Sequence, residues 1–205
     1  MPDQLSMFDD APGDQASAPD FSGRRRSRPD TRHELFFALR PDAHDARRLL
    51  EAARQARMVG APLDAARLHV SLFGVGDYLG DAFPREHVAR LLRAAGSVAL
   101  AGFELVFDEA ASFTAARAFV LKASADDALA ALHDVRLRLG EALANAGVPV
   151  RAGKITPHMT MAYGEASMPA ARIPALAWRP AELALIDSYV GERHHESLGR
   201  WPLAD

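Results

Sequence analysis

Two segments of the chain repeat one order of residue types: Leu68-His69-Val70-Ser71-Leu72 and Pro157-His158-Met159-Thr160-Met161. Each reads histidine, apolar, hydroxyl, apolar. On a β-strand side chains alternate between faces, so His69 would share a face with Ser71, and His158 with Thr160. Val70, Leu72, Met159 and Met161 would turn to a core. Histidine titrates near neutral pH, so of two imidazoles facing one opening, one can take a proton from water while its protonated partner gives one to a leaving oxygen. The hydroxyls would hydrogen-bond the non-bridging oxygens of a phosphate, where charge builds in the transition state. That division of labour needs neither metal nor cofactor.

The weight rests on the pair. Among eight histidines, about half a His-x-Ser/Thr match arises by chance, and a third match occurs at His195-Glu196-Ser197. Glu196 breaks the apolar pattern there, and the third match is set aside. An isolated histidine of this kind more often caps or packs within a sheet, whereas two in the same setting point to a site. A histidine metallohydrolase is the weakest reading, because His194 and His195 would point apart on a strand and no H-E-x-x-H or carboxylate-rich ligand set is present. A module that binds an RNA end or nucleotide without turning it over would keep the same cleft and hydroxyls. It stays open as the alternative.

The elements that must carry these residues alternate from the outset. The run Glu34 to Leu39, bounded by Arg40-Pro41, reads as a short buried strand, and Asp42 then caps a helix to about Met58. Arg67 to Phe73 reads as a second strand, followed by the turn-prone Gly74, Gly76, Asp77 and Gly80 and a helix from Pro84 to Ala95. Strands are expected over 98–107 and 117–122 with a loop over 108–115 between them. A long helix then runs to about Asn145, stopped by Gly147 and Pro149. Further strands are expected over 156–163, 183–190 and 195–198. Without a regular βαβ rhythm, this order predicts an α+β fold with largely antiparallel sheets. Strand, helix and a strand with His-x-Ser come early, and helix and a strand with His-x-Thr come late, a coarse internal echo.

At this point the chain resembles the 2H phosphoesterase superfamily, specifically the 2′-5′ RNA ligase-like proteins that include RNA 2′,3′-cyclic phosphodiesterases. The resemblance covers roughly residues 34–203 and rests on ELFFALRP, LHVSLFGVGDY, GFELVFDEAASF, ITPHMTMAY and the closing GRWPL. It implies a bilobal fold, two pseudo-symmetric lobes with sheets flanked by helices around a central cleft, and one His-x-Ser/Thr motif facing in from each lobe. It makes His69 and His158 the catalytic pair and Ser71 and Thr160 the phosphate-binding hydroxyls. The implied reaction is hydrolysis of a 2′,3′-cyclic phosphate, of an RNA end or nucleotide, to a 2′-phosphomonoester. His158 would be the base and His69 the acid. Many members carry an arginine where this chain has Tyr163, so Arg151 or Lys154 would supply the missing cation. Tyr163 itself, and Phe73 on the His69 face, are candidate substrate contacts, the aromatic ring of Phe73 being suited to stack on a base.

Composition sets the surroundings. The length of 205 residues and 49% hydrophobic content suffice for one core. Residues 1–31 are poor in apolar side chains and are expected to form a disordered tail, with residues 32–205 forming a single bilobal domain. In the tail an acidic stretch precedes the arginine run Arg24, Arg25, Arg26 and Arg28. The net charge of -3 argues against a surface that wraps nucleic acid throughout. The absence of cysteine excludes disulfides, thiolate metal sites and a cysteine nucleophile. With no apolar run of membrane-spanning length, the chain is expected to be a cytoplasmic monomer. Gln4-Leu5-Ser6-Met7-Phe8 resembles the short peptide by which bacterial proteins dock on the replicative sliding clamp, which makes the clamp a candidate partner.

Overall fold

A computed structural model describes residues 20–124, 126–150, 153 and 155–204, with 126–128 described in backbone only. Gln4 to Phe8, Arg151 and Lys154 lie outside the described residues.

The first strand, β1 (Arg32–Arg40), buries Leu35, Phe37 and Leu39 on one face and leaves Arg32, Glu34, Phe36 and Arg40 on the other. Helix α1 (Ala43–Gln55) starts where Asp42 accepts a hydrogen bond from the Asp45 N–H at 2.7 Å, and it buries Leu49, Leu50 and Ala53. A two-residue strand β2 (Ala61–Pro62) and a 3₁₀ turn (Ala65–Arg67) lead into β3 (Val70–Leu79). After α2 (Arg85–Gly96) come β4 (Leu105–Phe113), β5 (Ala118–Ala123), α3 (Asp126–Asn145) and β6 (His158–Tyr163). The chain closes with β7 (Ala171–Trp178), β8 (Glu182–Tyr189) and β9 (His194–Pro202).

Two antiparallel sheets result, one in the order β3-β1-β8-β9 and the other β2-β6-β5-β4-β7. Leaving out the short β2, the orders superpose strand for strand: β3 on β6, β1 on β5, β8 on β4, β9 on β7. The unit β1-α1-β3 thereby matches β5-α3-β6, which gives physical form to the echo in the sequence. The outward faces of both sheets share one apolar cluster with the helices, running from Leu35, Phe37 and Leu49 to Phe107, Phe119, Leu132 and Met161. The inward faces carry smaller clusters, Phe36, Ala38, Ala184 and Ile186 on one side and Ala111, Phe113, Ala118 and Val120 on the other. No helix among the described residues is long and apolar enough to cross a membrane.

Four local expectations change. The strand expected over 98–107 begins only at Leu105, and residues 98–104 before it carry one isolated bridge, Ala101 to Ala204. Residues 105–113 form a strand where 108–115 reads as a loop. Asp108 is extruded there as a bulge, free to accept from the Ser124 hydroxyl at 2.5 Å, and Glu109 returns to the ladder to pair with Lys122. Strand β7 went unread because Pro174 interrupts it; it is an edge strand, and Pro174 sits opposite the bulge, where no ladder bond is needed. Gly74 and Gly76, read as a turn, lie within β3.

Residues 20–31 fall in the stretch whose composition reads as tail, yet they lie along the outer face of β1 and β8. Asp187 is fully buried there and accepts from His33 Nδ1 at 2.9 Å, from the Tyr78 hydroxyl and from the Arg24 guanidinium. Arg24 also stacks 3.7 Å from the Phe83 ring, Phe21 packs edge-on against Phe83, and Ser27 Oγ lies 2.9 Å from His33 Nε2. Removing one partner of such a buried pair leaves the other charge desolvated, at a cost of about 3–5 kcal/mol. Asp187→Ala is therefore expected to lower the midpoint of thermal unfolding by roughly 10 °C, read by circular dichroism.

Candidate active site

The two histidines are presented identically. Nδ1 of His69 lies 2.7 Å from the Arg67 carbonyl oxygen, and Nδ1 of His158 lies 2.7 Å from that of Thr156, two residues upstream in each case. A carbonyl oxygen only accepts, so Nδ1 is the donor in both rings and Nε2 is left for chemistry. Behind each ring stands an aromatic from the central part of its sheet, Phe36 at 5.0 Å from His69 and Phe113 at 4.8 Å from His158. The hydroxyls of Ser71 and Thr160 follow at the spacing that keeps them on the same face, Ser71 exposed and Thr160 partly so.

Beyond the hydroxyl the alternation breaks in both strands at the same place. Phe37 pairs with Phe73 and Ala38 with Ser71, so Leu72 is an extra residue in β3. Phe119 pairs with Ala162 and Val120 with Thr160, so Met161 is an extra residue in β6. Each bulge buries two consecutive residues, Leu72-Phe73 and Met161-Ala162, and returns the next one, Gly74 or Tyr163, to the cleft face. Phe73 is thus corrected: it turns away from His69 into the outer core, where the Arg136 guanidinium lies 4.7 Å from its ring. The same device sends Tyr163 to the cleft instead of the core, 45% exposed.

A cavity of about 500 Å³ lies between the sheets, lined among others by Phe36, His69, Ser71, Gly74, Ser188 and Tyr163. His158 and Thr160 do not line it, but β3 and β6 approach each other across the cleft and the charge of His158 acts on His69. Burial pushes the His69 pKa down to about 4, and Arg40, Arg67 and His158 add to the effect, while the bond to the Arg67 carbonyl opposes it. A third imidazole completes the wall. His195 on β9 packs 5.4 Å from the His69 ring and 5.8 Å from Phe36, and burial followed by the fields of His69, Arg67 and Arg40 takes its pKa to about 3. Both rings are neutral in the free protein near pH 7. His194 points the other way, onto Tyr189.

His195 was within reach of sequence, since it forms the third His-x-Ser match; its Glu196 neighbour faces the Tyr189 hydroxyl instead of a core, which is what broke the apolar pattern. Phe36 was hidden because ELFFAL is apolar on both faces, so no alternation marks which residues look inward. Arg67 gave no signal other than its position two residues before His69. Among the described residues no three His, Cys, Asp or Glu side chains converge as a metal site.

The fold is similar to that of E. coli LigT, both in apo form (TM-score 0.63, 22% identity, covering 86% of this chain and 100% of that one) and complexed with 3′-AMP (TM-score 0.63, 23% identity, 85% and 99%). It is also similar to TT0787 of Thermus thermophilus (TM-score 0.59, 23% identity, 83% and 97%). No curated protein sequence matches the chain. The sequence model of the 2′-5′ RNA ligase superfamily matches residues 40–195, a span that includes both histidine half-sites and every element from α1 to β8, with only the last residue of β1 and the first two of β9. With the paired half-sites and the duplicated sheets, that match makes the chain a member of the 2′-5′ RNA ligase superfamily, a group of 2H phosphoesterases.

Proposed function

We propose that the protein hydrolyses a 2′,3′-cyclic phosphate, at an RNA end or on a nucleotide, to a 2′-phosphomonoester without a metal ion. The observation that carries this reading is the pair of imidazoles, each with Nδ1 donated to a backbone carbonyl and each followed by a hydroxyl on the same face. His158 Nε2 takes a proton from water as its oxygen attacks phosphorus. The bond from phosphorus to the ribose 3′ oxygen breaks, and His69 Nε2 protonates that oxygen. Ser71 and Thr160 donate to the non-bridging oxygens. The structures of LigT complexed with 3′-AMP and with phosphate support the reading, since both ligands carry the group that this cleft would hold.

His69 can act as the acid only if the substrate supplies its proton affinity. An anionic phosphate about 4 Å from the ring favours the imidazolium by about 4 kcal/mol at an effective dielectric near 20. At about 1.4 kcal/mol per pKa step, that would carry His69 from about 4 to near 7. Binding of the anion then takes up a proton, so affinity for inorganic phosphate or a nucleoside 2′-phosphate rises as pH falls from about 7 towards 4. In a titration followed by NMR, the His69 ring of the free protein is expected to stay neutral down to about pH 4 and to become protonated near neutral pH in the complex. A ring that stays neutral in the complex would exchange the roles of the two histidines.

The reaction itself is tested with a short RNA ending in a 2′,3′-cyclic phosphate, in excess chelator. His69→Ala and His158→Ala are each expected to lower kcat by about 10²–10⁴, and Ser71→Ala or Thr160→Ala by roughly 10–10³. A 2′-phosphate product, identified by resistance to a 3′-specific phosphatase, is expected. No turnover by the folded wild type would leave two readings, a phosphodiesterase for another small phosphodiester or a binding module.

A further inference from the structure

On the other side of Tyr163 from His69 lies a second depression of about 400 Å³, lined by Pro62, Leu63, Asp64, Arg67, Tyr163 and Arg193. It shares Tyr163 with the histidine cavity, and β2 closes its floor by pairing Ala61 with Tyr163. Among the described residues, the other cations near the cleft are occupied. Arg32 is paired with Glu34 at 3.1 Å and Asp77 at 3.7 Å, and Arg40 donates to the Ala66 carbonyl at 2.6 Å and to Ser197 Oγ at 3.0 Å, with Glu182 at 3.8 Å. Arg67 and Arg193 differ, because among the described residues neither has a carboxylate within 4.0 Å. Asp64, their neighbour, is engaged by the Ala66 N–H at 2.9 Å as the cap of the 3₁₀ turn. Arg67 Nε is fully buried with no hydrogen-bond partner, a state that native structures rarely leave without a ligand or water to satisfy it. Its guanidinium is near enough to the catalytic ring to depress the proton affinity of both His69 and His195.

We propose that Arg67 and Arg193 form a second anion subsite, which takes a phosphate group of the substrate other than the one being hydrolysed. The proposal rests on the phosphoesterase reading and deepens it by naming the substrate class as a nucleoside with two phosphates. The reacting phosphate sits at the histidines, the nucleoside lies against the Tyr163 ring, and the second phosphate meets two guanidinium groups suited to its oxygens. Among the described residues, the cavity at His69 offers no comparable uncompensated cation, since its own Arg32 is neutralised from both sides. The second phosphate has two sources: the phosphodiester of a nucleotide chain leading to the reacting end, or the 5′-phosphate of a free nucleotide.

The test is binding, measured by calorimetry at one fixed low salt concentration, so that it does not depend on turnover. The probes are adenosine 2′-phosphate, adenosine 2′,5′-bisphosphate and a diribonucleotide ending in a 2′-phosphate. Wild type is expected to bind at least one of the two-phosphate probes about tenfold or more tightly than the one-phosphate probe, as one added charge-assisted contact allows. Arg193→Gln and Arg67→Gln are each expected to narrow that preference to within about threefold and to flatten its salt dependence. Arg193 is exposed, so its variant is expected to melt like wild type, and this keeps the comparison sound. A gain with the dinucleotide alone assigns the subsite to a chain; a gain with both probes assigns it to the 5′-phosphate of any nucleotide. Equal affinity for all three probes, no binding of any, or a preference untouched by both substitutions overturns the proposal. Failure of the cyclic-phosphate assay alongside a preserved two-phosphate preference would remove the proposed reaction and leave the subsite.

Discussion

The hydrogen bond from each histidine Nδ1 to a carbonyl two residues upstream decides what the cleft can do. It fixes the tautomer, aims Nε2 inward and does so with backbone alone, so no side chain is needed to hold either ring. It also ties ring orientation to the geometry of the segment entering the strand, 65–67 before His69 and 155–157 before His158. Everything that secures those segments, including the Asp64 cap and the packing of Ile155, therefore supports the chemistry. The aromatic behind each ring limits the one rotation the bond leaves free.

Energetically the site is a compromise between two kinds of burial. The outer faces of the sheets share one continuous apolar core, while the inner faces hold only two small clusters beside the histidines. The cluster around Phe36 flanks His69 and His195, whose burial keeps both neutral, while the hydroxyls and Tyr163 stay in reach of solvent. These two rings therefore carry no charge of their own in the free protein. Stability is drawn from elsewhere, in part from the Asp187 network on the opposite face of β8.

Much of this was legible in the sequence, and the failures have physical causes. His69, Ser71, His158 and Thr160 could be placed because strand alternation holds across three residues, and α1, α2 and α3 could be placed from caps and apolar spacing. Phe73 could not, because alternation fails at a bulge, and nothing in Leu72-Phe73-Gly74 marks an extra residue beyond a glycine that also reads as a turn. Residues 105–113 and 171–178 were misread for the same reason seen from two sides: a bulge in β4 and a proline in β7 compensate each other only when the strands are adjacent. The segment 20–31 reads as tail because its anchors are single polar contacts, Arg24 on the Asp187 carboxylate more than 150 residues away and Ser27 on His33, which composition does not register.

The matched strand orders also divide the chain unequally. The second sheet, apart from its short β2 edge, is one unbroken run, 105–178, while the first is assembled from both ends, 32–79 and 182–202. On a polypeptide that emerges amino end first, the second lobe can close by local pairings as soon as β7 appears. The first must wait for β8, whose partner β1 was made some 150 residues earlier, and it bears the loop-closure entropy of that delay. Until then β1 exposes an unpaired edge beside the half-built cleft, so the order of synthesis makes the lobe carrying His69 the last to form and the more exposed to misassociation.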